Sequence, residues 1–486
     1  MRTPLLTAAA AALAIGIIPV ACDSDDVTQP TTQVVFANAS VTPALVKNVM
    51  SGVTVYSLLS SEDVLQGSPN YVFGGSADGA GLLKNADGTF TLVVNNEDNF
   101  AVSRITFDAT FKPTKGEYLF TSDAAKYRLC SATLATPQEH GFGPTFLTAG
   151  ESGVESQIYA LDPKGTTNNA RALIALGHWS AEQALPLPKQ AYPGKTVILI
   201  GDDDSGAAGS QVALYVGTSV GDLDNGKLYV LARANNTVRE RDMIAGQTYD
   251  VVFKEIPNAQ TLTGAQINTT VNALSGVVFG RVEDLDYRKG GTGREIYFAV
   301  TGQNNTGVNA DYSRSKYGRL YRLTLDAADP LKGTLEVVLD GDDRAGPAGQ
   351  LQNPDNVMVT TNYVYIEEDP NEYGDETHDS LLWQYNIQTK QMARVFEIDH
   401  RRGQPDFGKF NTATLTYTPL ATSPLGSWEN SGLIDISDAV GISGTFLVGI
   451  QAHAWHAARF KGADGGTLRT NEDQGSQLLV LTGLPR

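Results

Sequence analysis

The chain has 486 residues, 41% of them apolar and 19% charged, which is enough to bury a large core and too apolar for disorder over most of its length. Fifty-four acidic residues against 36 basic ones leave a net charge of -18, which opposes binding to a nucleic-acid backbone and suits metal cations instead. Two cysteines, Cys22 and Cys130, are too few for a disulfide framework or a thiolate zinc site.

Arg2 precedes an apolar stretch, Leu5 to Ala21, with small residues near its end, so residues 1-21 read as a secretory signal. The stretch closes in PVAC. Cys22 is then the lipidation cysteine of a bacterial lipoprotein, with Pro19 where that signal usually carries Leu; plain cleavage near Ala21 is the alternative. Residues 22-34 are polar, contain Pro30 and read as a flexible tether. The expectation is an exported bacterial protein, periplasmic or on the cell surface, whose body, residues 35-486, is one soluble, monomeric domain. It would touch a membrane only through a lipid on Cys22.

Past Val34 the pattern is short runs of Val, Ile, Leu, Tyr and Phe separated by Gly, Asn, Asp and Pro, with almost no helical periodicity. The fold class is all-β. Six apolar runs stop abruptly in polar or acidic residues: TLVVNNED to Asp98, FLTAGE to Glu151, VILIGDDD to Asp204, IYFAVTGQN to Asn304, YVYIEED to Asp369 and FLVGIQAH to His453. Several are followed by a strand, a turn and a second strand, as from Ile158, Leu320 and Leu382. An inner strand plus an outer hairpin, repeated about an axis, predicts a β-propeller of six irregular blades with insertions, in preference to a sandwich or a β-helix.

Radial blades bring equivalent strand ends to one mouth of a central channel. Glu97, Asp98, Glu151, Asp202, Asp203, Glu367, Glu368 and Asp369 would then form a dense carboxylate cluster, whose mutual repulsion a cation relieves. Oxygen ligands of this kind suit Ca²⁺, Mg²⁺ or Mn²⁺. The alternative is that these acids only make turns and solvated rims. A second series precedes several strands: Glu182 in EQ, RVEDLD from Arg281, QNPDN from Gln352 and WENSGLID from Trp428. In NPDN, Pro354 sets the turn that carries Asp355 and Asn356. Arg281 either clamps an anion or neutralises Glu283. His453 and His456 are candidate ligands or structural histidines; Cys130 reads as an ordinary buried thiol and His140 as a structural or surface residue.

These motifs, in order and context, resemble the PhoX-type alkaline phosphatases of secreted bacterial proteins, from about Val93 to His453. The most specific matches are GRVEDLDYRKGGTGREIYFAVTG and NPDNVMVTTNYVYIEED. The resemblance implies a six-bladed fold with calcium and iron in the channel. There a metal-activated water or oxide attacks the phosphorus of a small phosphomonoester. By motif position Glu182, Glu283, Asp355 and Glu151 would be metal ligands, with Glu97 and Glu368 as further candidates. Arg281 would be the catalytic residue that holds a phosphate oxygen. The family's iron-binding cysteine falls at Ala149, its Asn-Cys pair at Leu129-Cys130 and its Asn-His-Glu at Asn95-Asn96-Glu97. These departures point to an all-oxygen, calcium-dominated site or to weak or absent activity.

Three functions are therefore carried forward: a metal-dependent phosphoesterase, a non-catalytic calcium-stabilised propeller that binds a partner, and a lactonase-like hydrolase in which a calcium polarises a carbonyl.

Overall fold

Runs of β-branched and aromatic residues broken by turn formers give an almost wholly β structure. The computed structural model describes Met1 and residues 33-486, and the strands run in order from Val46–Lys47 to Gln474–Thr482. The expected signal, the lipidation residue Cys22 and nearly all of the tether lie outside the described residues. Val34–Arg486 form one compact unit. Among the described residues no helix is long and apolar enough to cross a membrane.

Four small sheets and one large one make up the unit. The first contains Ala77–Lys84, Phe90–Asn96, Ala101–Phe107 and Pro113–Phe120; the second runs from Leu129–Ala135 through Thr145–Gly150 and Ile158–Leu161 to Ala170–Ala172. Pro354–Val359, Tyr363–Glu368, Leu381–Asn386 and Met392–Ile398 form another, with Val46–Lys47 added at its outer edge. The last joins Glu429–Asp435, Thr445–His456 and Gln474–Thr482 to Thr54–Ser60, so a strand from near the N-terminus pairs with the C-terminal one, Thr54 opposite Thr482.

The expectation of six separate blades is not met, because residues 181-340 form a single nine-stranded sheet. Thr248–Glu255 causes the merger: it pairs with Lys227–Arg233 on one side and Lys332–Asp340 on the other. The sheet curls until its two end strands, Ala181–Pro186 and Val282–Tyr287, meet, and the Leu285 backbone N–H donates to Gln183 Oε1 at 3.2 Å. It is a nearly closed barrel.

Period-2 alternation then sends the two faces of each sheet to different cores. Val93 and Val102 of the first sheet pack with Phe146 and Tyr159 of the second, whereas Leu147 and Ile158 pack with Ile198 and Ile200 of the large sheet. Tyr297 and Leu320 meet Val357 and Ile366; Tyr365 and Phe396 meet Val448 and Leu479; Leu478 and Val480 return to Leu92 and Ile105. Five cores thus join the sheets into a closed ring. A sixth, with Leu199, Leu214, Phe298 and Tyr321, fills the interior of the large sheet.

Six inner strands line the axis: Ala77–Lys84, Leu129–Ala135, Ala181–Pro186, Val282–Tyr287, Pro354–Val359 and Glu429–Asp435. They approach so closely that a Cβ at Gly79 would lie 2.2 Å from the Ala132 nitrogen. The inner strands are not laddered to one another, so their inward N–H groups need other acceptors. Acidic side chains supply several: Asp284 accepts from Val357 N, Asp286 from Val359 N and Glu367 from Leu433 N.

Candidate metal centre and adjoining cleft

Each inner strand carries a break in register with its neighbour. The shifts fall between Ala77 and Ala80, Leu129 and Ala132, Ala181 and Gln183, Val282 and Leu285, Pro354 and Val357, and Ser431 and Ile434. An extra residue on one strand re-aims the side chains beside it. In the first five strands the bulge holds Asp78, Cys130, Glu182, Glu283 and Asp355; in the sixth, Glu429 opens the strand ahead of its bulge. Ser76, Arg281 and Asn353, each immediately before an inner strand, have φ of 48°, 73° and 53°. That left-handed turn is unusual for residues with a side chain and swings the chain into the bulge. At Arg281 it is held by Gly280 N donating to Glu240 Oε2 and Thr301 N donating to the Arg281 carbonyl.

The strands one step outward end beside these bulges and add Glu97, Glu151, Asp203 and Asp369. The ligand atoms fall into four groups, within each of which they lie no more than 4.8 Å apart: Asp78, Glu97 and Cys130; Cys130, Glu151 and Glu182; Glu182, Glu283 and Asp355; Asp355, Asp369 and Glu429. Shared members link the groups into one string around a cavity of about 60 Å³, which Arg128 and Arg281 also line. Arg128 reaches Glu97 Oε1 at 3.1 Å.

Burial, and then the neighbouring carboxylates, push Asp78, Glu151, Glu182, Glu283, Asp355 and Glu429 well above the usual carboxylate range. Burial likewise lifts the Cys130 thiol, with Glu151 and Glu97 adding to it. Glu97 is raised by burial against the opposing pull of Arg128. So many acids cannot all be ionised side by side in a dry pocket unless cations share it. Asp78 Oδ1, which lines the cavity, is buried without a hydrogen-bond partner and so keeps its lone pairs for a cation. The donor set fits a metal cluster: hard carboxylate oxygens throughout, with one soft sulfur.

Of the sequence-predicted residues, Glu97, Glu151, Glu182, Glu283, Asp355 and Arg281 are brought together, and Glu368 is not. Its carboxylate accepts from Gln352 N, Leu381 N and Trp383 Nε1 and pairs with His378 Nε2 at 3.0 Å, tying a turn to the next strand. Glu367 and Asp202 also stay out of the cavity, whereas Asp369, at the strand end, enters it. His453 lies on the rim, 3.7 Å from Glu429, while His456 pairs with Asp473 instead.

Sequence reasoning passed over Asp78 and Arg128 and took Cys130 for an ordinary thiol. Cys130 instead belongs to two of the four groups and lies 3.0 Å from Glu151 Oε2; Asn95, from NNED, donates to its carbonyl and props the bulge. Ala149, the position of the family's cysteine, is fully buried in the core behind the site. Asp78, in SADG just before an apolar run, had the same context as Glu182 and was the available signal.

Arg281 borders both this cavity and a wider cleft of about 710 Å³. Besides Asp203, its guanidinium meets Glu283 Oε1 at 3.2 Å and donates through Nη1 to Asn371 Oδ1 at 2.7 Å. Burial opposes its charge, but Asp203 and Glu283 outweigh that and keep it firmly protonated.

No protein-family model matches the chain, and no curated protein matches it. Among solved structures it is similar to Pseudomonas fluorescens PhoX in complex with vanadate, a transition-state analogue, at 13% identity and a TM-score of 0.61 over 93% of this chain and 99% of that one. The α-L-arabinofuranosidase Arb93A of Fusarium graminearum aligns at 11% identity over 88% and 97% of the two chains, with a TM-score of 0.38. The fold of residues 34-486 is thus distantly PhoX-like.

Proposed function

We propose that the protein is a metal-dependent phosphoesterase. The observation that carries this reading is the string of buried carboxylates and one thiol, closed on one side by an arginine that also faces an open cleft. Glu182, Glu283, Asp355, Asp369 and Glu429 form the all-carboxylate part of the ligand set, and calcium is the ion such hard, crowded oxygens favour. Cys130 supplies a soft donor, so the reading assigns a transition metal beside calcium, with iron as the first candidate. Bound there, such cations supply an activated oxygen nucleophile and neutralise charge that develops on a transferring phosphoryl group. The chain's own contribution is positioning. Asp203, Glu283 and Asn371 fix the plane of Arg281, which orients a phosphate oxygen, and the buried walls exclude bulk water from the cavity.

The same reading takes the nine-stranded sheet as two four-stranded blades fused through Thr248–Glu255, which restores six inner strands and six cores. Export and a lipid on Cys22 remain part of the proposal; metabolic labelling of a Cys22→Ala variant tests them. Turnover of p-nitrophenyl phosphate by purified protein tests the activity, with calcium, with calcium plus iron, and after chelation. Absence of turnover under every metal condition removes the phosphoesterase reading. One observation favours the non-catalytic alternative: three side chains already occupy the Arg281 guanidinium. It predicts a chelation-sensitive melt in a protein inactive on all phosphate esters.

A further inference from the structure

The cleft beyond Arg281 has a composition of its own. Among the described residues that line it, Arg281 is the one cation, against the three carboxylates of Glu151, Asp203 and Asp204. The remaining wall is hydroxyl and amide, including Ser180, Gln303 and Asn304, with Val308 the one aliphatic side chain. Tyr373 offers one aromatic ring, tethered by its hydroxyl to the Gly302 carbonyl at 3.3 Å.

The walls are also pre-formed. Gln303 Nε2 donates to the Ser205 carbonyl at 2.8 Å, its Oε1 accepts from Arg314, and Arg314 Nη1 donates onward to the Gly206 carbonyl. The 203-206 and 302-304 loops are thereby pinned to each other. Asp204 holds its own turn, with Oδ1 accepting from Gly206 N at 2.8 Å. At about 710 Å³ the space is of small-molecule size.

Charge and polarity together select what fits. The phosphate of an ester would take Arg281 and the cavity, leaving no lysine or arginine in the cleft for a second anion. That anion would instead sit among Glu151, Asp203 and Asp204, where repulsion in a partly dry site is strong. A long acyl chain would find one valine. A sugar or polyol would find amides and hydroxyls to exchange hydrogen bonds with, and a tyrosine face for its C–H side.

We infer that the cleft receives the alcohol half of a phosphate monoester when that half is neutral and hydroxyl-rich, as in a sugar or polyol, and turns away esters that carry a second phosphate; this rests on the phosphoesterase reading. The test uses full-length protein loaded with calcium, and with calcium plus iron, with glucose 6-phosphate and fructose 1,6-bisphosphate, following binding by calorimetry and phosphate release separately. The monophosphate should bind about tenfold more tightly. Asp204→Asn removes a cleft charge while keeping an acceptor for Gly206 N, and should narrow that ratio about threefold; Asp204→Lys should narrow it further. Equal or tighter binding of the bisphosphate, or a ratio indifferent to both variants, overturns the inference. Selective binding without release upholds the cleft assignment and removes the phosphoesterase reading. Release without selectivity does the reverse, and neither binding nor release removes both.

Discussion

Arg281 and Asp203 form a two-pronged pair, Nε 2.8 Å from Oδ1 and Nη2 2.8 Å from Oδ2. The two residues come from far-separated strands of the nine-stranded sheet: Asp203 follows Val197–Asp202, the neighbour of one end strand, and Arg281 precedes Val282–Tyr287, the other end strand. Closure of that sheet therefore fixes the direction in which the guanidinium fork points. A fork held on one edge keeps its plane toward the cavity, whereas an ammonium in its place would have no plane to hold.

Arg281→Lys should accordingly lower kcat/KM on p-nitrophenyl phosphate about 10- to 100-fold while leaving the metal content unchanged. Steady-state kinetics alongside elemental analysis checks it. A fall in bound metal of similar size would show instead that Arg281 holds the ligand set together.

Chelation should lower the melting temperature by several degrees, because the crowded carboxylates lose the charge that offsets them. Readdition of calcium should restore it. Glu182→Gln, which removes a carboxylate shared by two of the four groups, should reduce the chelation-sensitive part of the melt. Differential scanning calorimetry with and without chelator reads both effects.

Cys130→Ser should lose the transition metal and retain calcium, since a hydroxyl is a poor soft ligand while the surrounding oxygens are untouched. Metal analysis of the variant by mass spectrometry decides this. Unchanged transition-metal content would place the ion away from the sulfur.

His400 makes the fold acid-sensitive. Its ring is stacked on Trp428 at 4.3 Å, and burial lowers its pKa to about 3, Arg402 and Lys47 adding to this while Asp379 pulls the other way. The native state holds the ring neutral where the unfolded chain protonates it. The contribution of the ring to stability is therefore complete above pH about 6.5 and is lost as pH falls toward 3. Urea midpoints at pH 7, 5.5 and 4.5 should show the wild type losing stability relative to His400→Asn as the pH falls; a difference between the two that does not change with pH would remove this role of His400.

Leu481→Ala should cost about 2–5 kcal/mol, because Leu481 is fully buried on the strand that pairs with Thr54–Ser60 to close the ring. Chemical denaturation measures it.

Much of the architecture could be read locally. Strand alternation and turn chemistry are short-range, so the β class, the recurring acidic strand ends and the Asp355 turn were visible in the chain. The one substantial helix among the described residues, Gly264–Ala273, was not expected from periodicity. It begins with a capping box in which Thr263 and Gln266 exchange hydrogen bonds, and Glu155, distant in sequence, accepts from its first N–H groups. The fusion of two hairpins through Thr248–Glu255 was equally hidden, since an edge strand carries no mark of which second partner it will take.

What the amino-acid order settled was which residues could carry charge at a strand end, because that depends only on neighbours along the backbone. Which of them gather was decided in three dimensions. Glu367, Glu368 and Asp369 are consecutive, yet the first bridges to Leu433, the second braces Trp383 and only the third faces the cavity. One added residue at a bulge turns a side chain toward the axis, and the acidic environment arises from charges contributed by every sheet around the ring. Neither the direction of a side chain nor the loss of its water is a property of its own segment.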